Sequence, residues 1–156
     1  MRPLWEAADL VRRVRRQLRF GELSRAPLQL LRLELRGKFA ECEWIARPPD
    51  PWDADLAPEI AHRNQTFQAL RDAIAMRELI FDVMTDIQTA KLRVYRPSAS
   101  AAELIITGTV TREDQPPLRM SSIVMRAKLC GFHFSLGDGV LEALPMKERN
   151  LKFATL

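Results

Sequence analysis

Histidine and cysteine, the side chains that most often serve as acid–base groups, nucleophiles and metal ligands, are scarce in this sequence. The chain has two histidines, His62 and His133, and two cysteines, Cys42 and Cys130. Pairs such as Cys130 with His133 are conceivable, but no motif groups a nucleophile, a base and an oxyanion donor. Zinc usually needs about four ligands at regular spacings, which these four residues do not provide. The sequence therefore names no catalytic residue, cofactor or metal ion.

Two short stretches have the composition of ligand loops. The proline-rich segment 47–58 carries Asp50, Asp53 and Asp55, but their spacing matches no calcium-binding loop. Turns and helix N-caps use aspartate for its local hydrogen bonds, so we interpret these residues as backbone caps. Gly137-Asp138-Gly139 fits a hairpin turn better than a catalytic loop, and the chain has no phosphate loop of Walker or Rossmann spacing.

Arginine is the one chemically distinctive residue type, and it is concentrated at the N-terminal end. Residues 1–38 contain ten Lys or Arg against four Asp or Glu, a net +6 in a chain whose total is +4. The basic charge thus belongs to one element, which could face an anionic partner, a phosphate backbone or solvent. The candidate anion or partner surface consists of Arg12, Arg13, Arg15, Arg16 and Arg19.

The spacing predicts a helix over residues 4–19 that carries these arginines, with Gly21 as its stop. The opposite side of this helix is an apolar stripe formed by Leu4, Ala7, Leu10, Val11, Val14 and Leu18. We expect the stripe to dock on the rest of the protein and the arginines to face water.

A hairpin is predicted next, over residues 31–44. If Gly37-Lys38 is a two-residue turn, Leu35 faces Ala40 and Leu33 faces Cys42, and every apolar side chain falls on one side. The same register places Leu31 opposite Trp44 and Arg32 opposite Glu43.

A long helix over Pro58–Met84 is the element around which the chain is organised. Its apolar arc covers more than half of the circumference, so it must be buried on more than one side. We expect Asp53 or Asp55 to cap its start. Arg77 falls within the arc and is interpreted as extending along apolar surface to water; the alternative is a buried guanidinium that pairs with a carboxylate or an anionic ligand. A candidate pocket would use Arg77, His62 and His133.

The remainder predicts a second hairpin over 89–111, with Leu92, Val94, Leu104, Ile106 and Val110 inward. Tyr95 and Ile105 are expected on the outer face, which could pair with another copy. Residues 119–130 fit a helix or a strand; we favour a helix that begins at Ser121 or Ser122 and ends at Gly131. A third hairpin follows, from a strand at Phe132–Leu136 to a return at Val140–Leu144.

These elements predict an α+β fold in two layers. A mostly antiparallel sheet built from hairpins would carry the long central helix and two further helices on one face. We expect residues 1–26 to be a basic helix and linker packed on a single domain, 27–156. No apolar run is long enough for a membrane span, and no secretory signal is evident, so a cytoplasmic protein with free buried thiols is expected.

Three functional hypotheses follow from the sequence. The first is a non-catalytic protein-interaction module, possibly a homodimer, because antiparallel sheets of this size expose a face or an edge. The second is a nucleic-acid-binding protein that uses the N-terminal arginine face. The third is a small-molecule-binding protein or enzyme with a pocket between the sheet and the central helix.

Overall fold

The computed structural model describes residues 4–19, 21, 23–97, 101–113 and 122–145. Its helices are α1 (Leu4–Gln17), α2 (Pro58–Val83) and α3 (Ile123–Leu129), with a 3-10 helix at Pro51–Asp55. Its strands are β1 (Gln29–Arg36), β2 (Phe39–Ile45), β3 (Thr89–Pro97), β4 (Ala102–Thr111), β5 (Phe132–His133), β6 (Leu136–Gly137) and β7 (Val140–Leu141).

The predicted α+β class and the mostly antiparallel sheet are confirmed. Strands β1 to β5 form one sheet in sequential order, and β6 and β7 form a separate two-stranded sheet. One pairing in the main sheet, β2 with β3, is parallel, because α2 carries the chain back to the starting end of β2 before β3 begins. None of the helices among the described residues combines the length and apolarity needed to cross a bilayer.

The core lies between the helices and the inward side chains of the sheet, with α2 at its centre. Leu70, Met76, Ile80 and Met84 are completely buried, as the broad apolar arc predicted. Pro58 occupies the first turn, as expected, but the aspartate cap was wrong: Ala57 precedes α2 without a side-chain cap. The aspartates belong to the 3-10 helix instead, where Asp50 accepts a hydrogen bond from the Trp52 amide (3.0 Å).

The first hairpin has the predicted turn and most of the predicted register. Gly37 has φ of 55°, Leu35 pairs with Ala40, Leu33 with Cys42 and Arg32 with Glu43. The predicted Leu31–Trp44 pair is wrong, because Trp44 faces Leu30 across an irregularity between Leu30 and Arg32. Leu31 is the extra residue of this bulge and is 47% exposed.

The second hairpin also contains a bulge, and the bulge changes which side chains are buried. Leu92, Val94, Ile106 and Val110 are inward as predicted. Leu104, also predicted inward, is buried opposite Tyr95 but is not part of the main core. The register shifts between Val94 and Tyr95. Ile105 is consequently 2% exposed and belongs to the core, so the expectation that it lies on the outer face was wrong. Tyr95 is 3% exposed, so the expectation that it is available to another copy was also wrong.

The predicted helix before residue 131 is confirmed over Ile123–Leu129. The Ser122 hydroxyl accepts a hydrogen bond from the Met125 amide, and Gly131 has the positive φ of a helix terminator. Gly108 on β4 lies close to this terminator: a Cβ at Gly108 would be 2.6 Å from the Gly131 carbonyl oxygen. The expected continuous strand Phe132–Leu136 is instead two short strands in different sheets, because the chain leaves β4 after His133.

Candidate functional site

Strand β1 forms one edge of the five-stranded sheet. Its inner edge pairs with β2, and none of the other described strands pairs with its outer edge. Leu33 and Leu35 are half-buried against the core, whereas Leu31 projects from the bulge. In this eight-residue strand, the backbone N–H and C=O groups that point away from β2 can accept another strand, so this edge is the first candidate interaction surface.

An apolar groove adjoins this edge. It has a volume of about 550 Å³ and separates α1 from the segment that leads into β1. Val14, Leu18, Leu28 and Leu30 provide its apolar lining, with Arg15 and other polar groups at the rim. The groove extends the apolar surface of the β1 edge toward the helical layer.

The outer face of β1 carries charges of alternating sign. Arg32 donates a hydrogen bond to Glu34, and Arg36 Nε donates to Glu34 Oε1 at 2.6 Å. These two hydrogen bonds lower the pKa of Glu34, and the bond to Glu34 raises the pKa of Arg32. On the neighbouring strand β2, Glu43 lies 3.7 Å from Arg32 and also accepts a hydrogen bond from Arg93 at 2.9 Å. This edge therefore presents fixed, opposite charges at neutral pH.

The five predicted arginines of the N-terminal surface lie on or just after α1. The helix docks as expected, since Leu10 and Val14 are 1% and 4% exposed within the core. Arg12 and Arg13 lie near Asp9, and Arg13 also reaches Asp82 of α2 at 3.2 Å. The other three, Arg15, Arg16 and Arg19, are exposed.

Arg47, which follows β2, holds α1 and its linker on the domain. Its Nε and Nη2 donate to the Asp72 carboxylate of α2 at 2.8 and 3.3 Å. The remaining N–H groups reach main-chain carbonyls after α1: Leu18 at 2.5 Å, Arg19 at 3.1 Å and Ala26 at 2.6 Å. Burial raises the pKa of Asp72, and hydrogen bonds from Arg47 and Gln68 oppose that rise. All five guanidinium donors are thus engaged, and we assign Arg47 a structural role.

A second candidate site is a cavity of about 290 Å³ between the sheet and α2. It lies where β2 and β3 end, beside Ala46 and Pro97, and is bounded by the first half of α2 from His62 to Ala69. Leu141 of the small β6–β7 sheet forms another wall, and Arg96 donates to its carbonyl oxygen at 2.6 Å. Of the predicted pocket residues, this cavity includes His62.

Arg77 and His133 lie elsewhere, so the structure does not assemble the predicted three-residue pocket. Arg77 is fifteen residues beyond His62, about 22 Å along the helix axis. It is 5% exposed, donates to the Thr111 carbonyl at 2.8 Å and packs over the Phe81 ring, so the expectation that it reaches water was wrong. His133 is exposed on β5 opposite Thr107.

Both thiols are free and buried, as expected. Burial raises the pKa of Cys42 to about 12 and also raises the pKa of Cys130. Neither thiol therefore has the thiolate character that nucleophilic or metal-binding cysteines require. Among the described residues, no group of three or more His, Cys, Asp or Glu side chains is placed to hold a metal ion.

Three polar residues of these sites were not singled out by the sequence: Arg47, Asp72 and Arg96. Asp72 and Gln68 of α2 are 3% and 4% exposed, and Gln68 accepts a hydrogen bond from the Leu23 amide at 2.6 Å. An acid within a buried helical face requires a partner, and that signal was present in the sequence. The identity of the partner was not, because Arg47 lies in an irregular segment.

Comparisons of the chain with protein-family models, with curated proteins and with solved structures gave no match.

Proposed function

We propose that this protein is a non-catalytic interaction module that self-associates through the β1 edge. The observation that carries the proposal is the sequence of the free edge strand, Leu31-Arg32-Leu33-Glu34-Leu35, which is complementary to itself in antiparallel orientation. A two-fold axis places the same strand on both sides of such an interface, so the residues of one strand must match each other.

The register follows from the charges on the edge. A two-fold axis at Leu33 places Arg32 opposite Glu34 of the second copy, twice, and places Leu31 opposite Leu35. Opposite charges directly across a ladder stabilise it, and residues that face each other lie on the same side of the sheet. Leu33 and Leu35 of both copies would therefore continue the core-facing side, and the charges would continue the outer face, while Leu31, which projects from the bulge, would meet Leu35 of the second copy at the end of the ladder.

Other registers match less well. An axis at Arg32 opposes that arginine with its own copy, and an axis at Glu34 opposes like charges at three positions. An axis at Leu35 pairs Glu34 with Arg36 but sets Leu33 against Gly37 and Arg32 against Lys38. Like charges directly opposite are destabilising, so Leu33 is the centre that the charges favour.

Two apolar features support association at this edge. Leu31, 47% exposed in the single chain, would be covered by Leu35 of the second copy. The groove beside α1 adds apolar surface to the strand pairing. Stable interfaces bury roughly 1,200–2,000 Å² in total, more than one strand pair supplies, so we expect the groove to be covered as well.

Sedimentation equilibrium measures the predicted association. We expect the wild type to form a dimer and Leu31→Lys to weaken it by roughly tenfold or more, because a charge would replace a covered leucine. Leu129→Lys is the matched control, since Leu129 is 46% exposed on α3, and it should leave the dimer intact. A wild type that stays monomeric at high micromolar concentration would contradict the proposal.

Complementary charge variants test the register. Arg32→Glu and Glu34→Arg should each weaken self-association, because each opposes like charges across the axis. Mixed together, the two variants should form a heterodimer, since both cross-strand pairs then join Glu to Arg. Arg32 also lies near Glu41 and Glu43, so thermal melting must show that each variant is folded. Folded variants that fail to combine would refute the register about Leu33.

A further inference from the structure

We infer that the crevice at the carboxyl ends of β2 and β3 binds a small apolar carboxylate. This ligand site is independent of self-association at β1. It rests on three observations: the position of the crevice in the topology, the apolar character of its walls and the one sign of the charges that line it.

The crevice lies at the place where parallel strands form ligand sites. Strands β2 and β3 are the parallel pair of the sheet, so their carboxyl ends lie side by side at the same end of the strands. In open sheets with parallel strands, ligands bind outside the carboxyl ends, beside the start of the connecting helix. Here the first half of α2, from His62 to Ala69, forms that wall.

The walls are mainly apolar. Ala69, Ile105, Val140 and Leu141 line the interior, and Pro48 and Pro49 stiffen the rim. A volume of about 290 Å³ is at the lower end of the range for ligand pockets, roughly 300–1,000 Å³, so the ligand has one short chain or one ring.

The charged groups on the lining all favour an anion. Arg47 and Arg96 are the charged residues on the lining, and none of the described lining residues carries a carboxylate. Arg47 has no donor left. Arg96 gives Nε and Nη2 to Glu103 Oε2, at 3.3 and 2.9 Å, and Nη1 to the Leu141 carbonyl, which leaves two of its five N–H groups for a ligand.

Two further side chains can help to hold the carboxylate. His62 and Gln65 both line the cavity, and neither side chain makes a hydrogen bond within the described part of the chain. Thr66 is committed, since its hydroxyl donates to the Gly139 carbonyl at 2.8 Å. Thr66 and Arg96 thus fix the β6–β7 hairpin as a wall, while His62, Gln65 and Arg96 offer donors to the ligand.

Three probes of equal chain length test the chemistry: octanoate, octanol and octylamine. Each is titrated into the wild-type protein and followed by amide chemical shifts. We expect octanoate to bind at least roughly tenfold more tightly than octanol, because charge-assisted hydrogen bonds exceed neutral ones in strength, and octylamine to bind most weakly. Equal binding of octanoate and octylamine, or no binding of octanoate at millimolar concentration, would overturn the inference.

Matched variants of α2 test the location. Ala69→Leu fills the cavity and should abolish octanoate binding, whereas Ala75→Leu, which faces a different groove, should leave it unchanged. Arg96→Met should lower octanoate affinity to that of octanol and leave octanol unaffected. Because Arg96 also holds the β6–β7 hairpin, binding to Arg96→Met is interpreted only if thermal melting shows that this variant is folded. Ala69→Leu and Ala75→Leu test the location of the site whether or not Arg96→Met folds. Undiminished binding to folded Ala69→Leu would refute the site.

Discussion

Replacing Arg47 with methionine should destabilise the protein more than any single change at an exposed arginine. The substitution keeps most of the side-chain volume and removes five hydrogen bonds at once. It leaves the Asp72 carboxylate, whose side chain is 4% exposed, with Gln68 as its remaining donor. Removing one partner of a buried ion pair costs about 3–5 kcal/mol. Domains are stable by roughly 5–15 kcal/mol, so the variant should be folded but marginal.

Urea denaturation followed by circular dichroism measures this loss, and a double-mutant cycle assigns its cause. Asp72→Leu added to Arg47→Met removes the uncompensated charge, so the double variant should lose clearly less than the sum of the single losses. We expect a coupling energy of about 2–3 kcal/mol. Arg13→Met is the control, because the Arg13–Asp82 pair is exposed and should contribute at most about 1 kcal/mol.

Hydrogen exchange tests whether Arg47 fastens α1 to the domain as well as pairing with Asp72. If Arg47 fastens α1, the amides of that helix should lose protection in Arg47→Met before those of α2 do. A loss of less than about 1 kcal/mol, or single losses that simply add, would refute the argument that this buried pair holds the N-terminal segment.

Three further predictions concern the rest of the chain. Gly108→Ala should cost about 1–3 kcal/mol in urea denaturation, because its Cβ would lie 2.6 Å from the Gly131 oxygen, whereas Thr109→Ala should change little. Replacing Arg12, Arg13 and Arg16 together with glutamine should change the free energy of unfolding by less than about 1 kcal/mol. If the wild type binds DNA in a salt-sensitive manner and this triple variant does not, a nucleic-acid role would be supported instead. Both thiols should resist a disulfide reagent from roughly pH 7 to 9 in the native protein and react after unfolding, because the pKa of Cys42, about 12, keeps this thiol protonated. Rapid reaction of the native protein would contradict this prediction.

Features set by local pattern were predictable from the sequence. The alternation around Gly37-Lys38 predicted the pairing of Leu33 with Cys42, because a slip of one residue would have moved every leucine into water. The apolar arc likewise predicted α2, and Ser122 and Gly131 predicted the limits of α3.

Features set by irregular backbone or by distant partners were not predictable. The bulges at Leu31 and Ile105 arise where one strand has an extra residue, which alternation alone does not reveal. The cavity depends on the parallel pairing of β2 with β3, and no local signal in either strand indicated its neighbour. Arg96 was therefore overlooked, and His62 was grouped with Arg77 and His133, which lie in other parts of the fold.

The parallel pairing of β2 with β3 has a consequence for how quickly the chain folds. At this β2–β3 seam, Trp44 pairs with Val94, which is fifty residues later in the sequence, whereas the strands of each hairpin are joined by a loop of only a few residues. The chain must lose the conformational entropy of the long loop between β2 and β3 before the contacts at the seam stabilise the fold. We expect the two hairpins and α2 to form early and the docking of β2 against β3 to set the rate. Substitutions at the seam that destabilise this docking should slow refolding, while changes at the free edge of β1 should mainly speed unfolding.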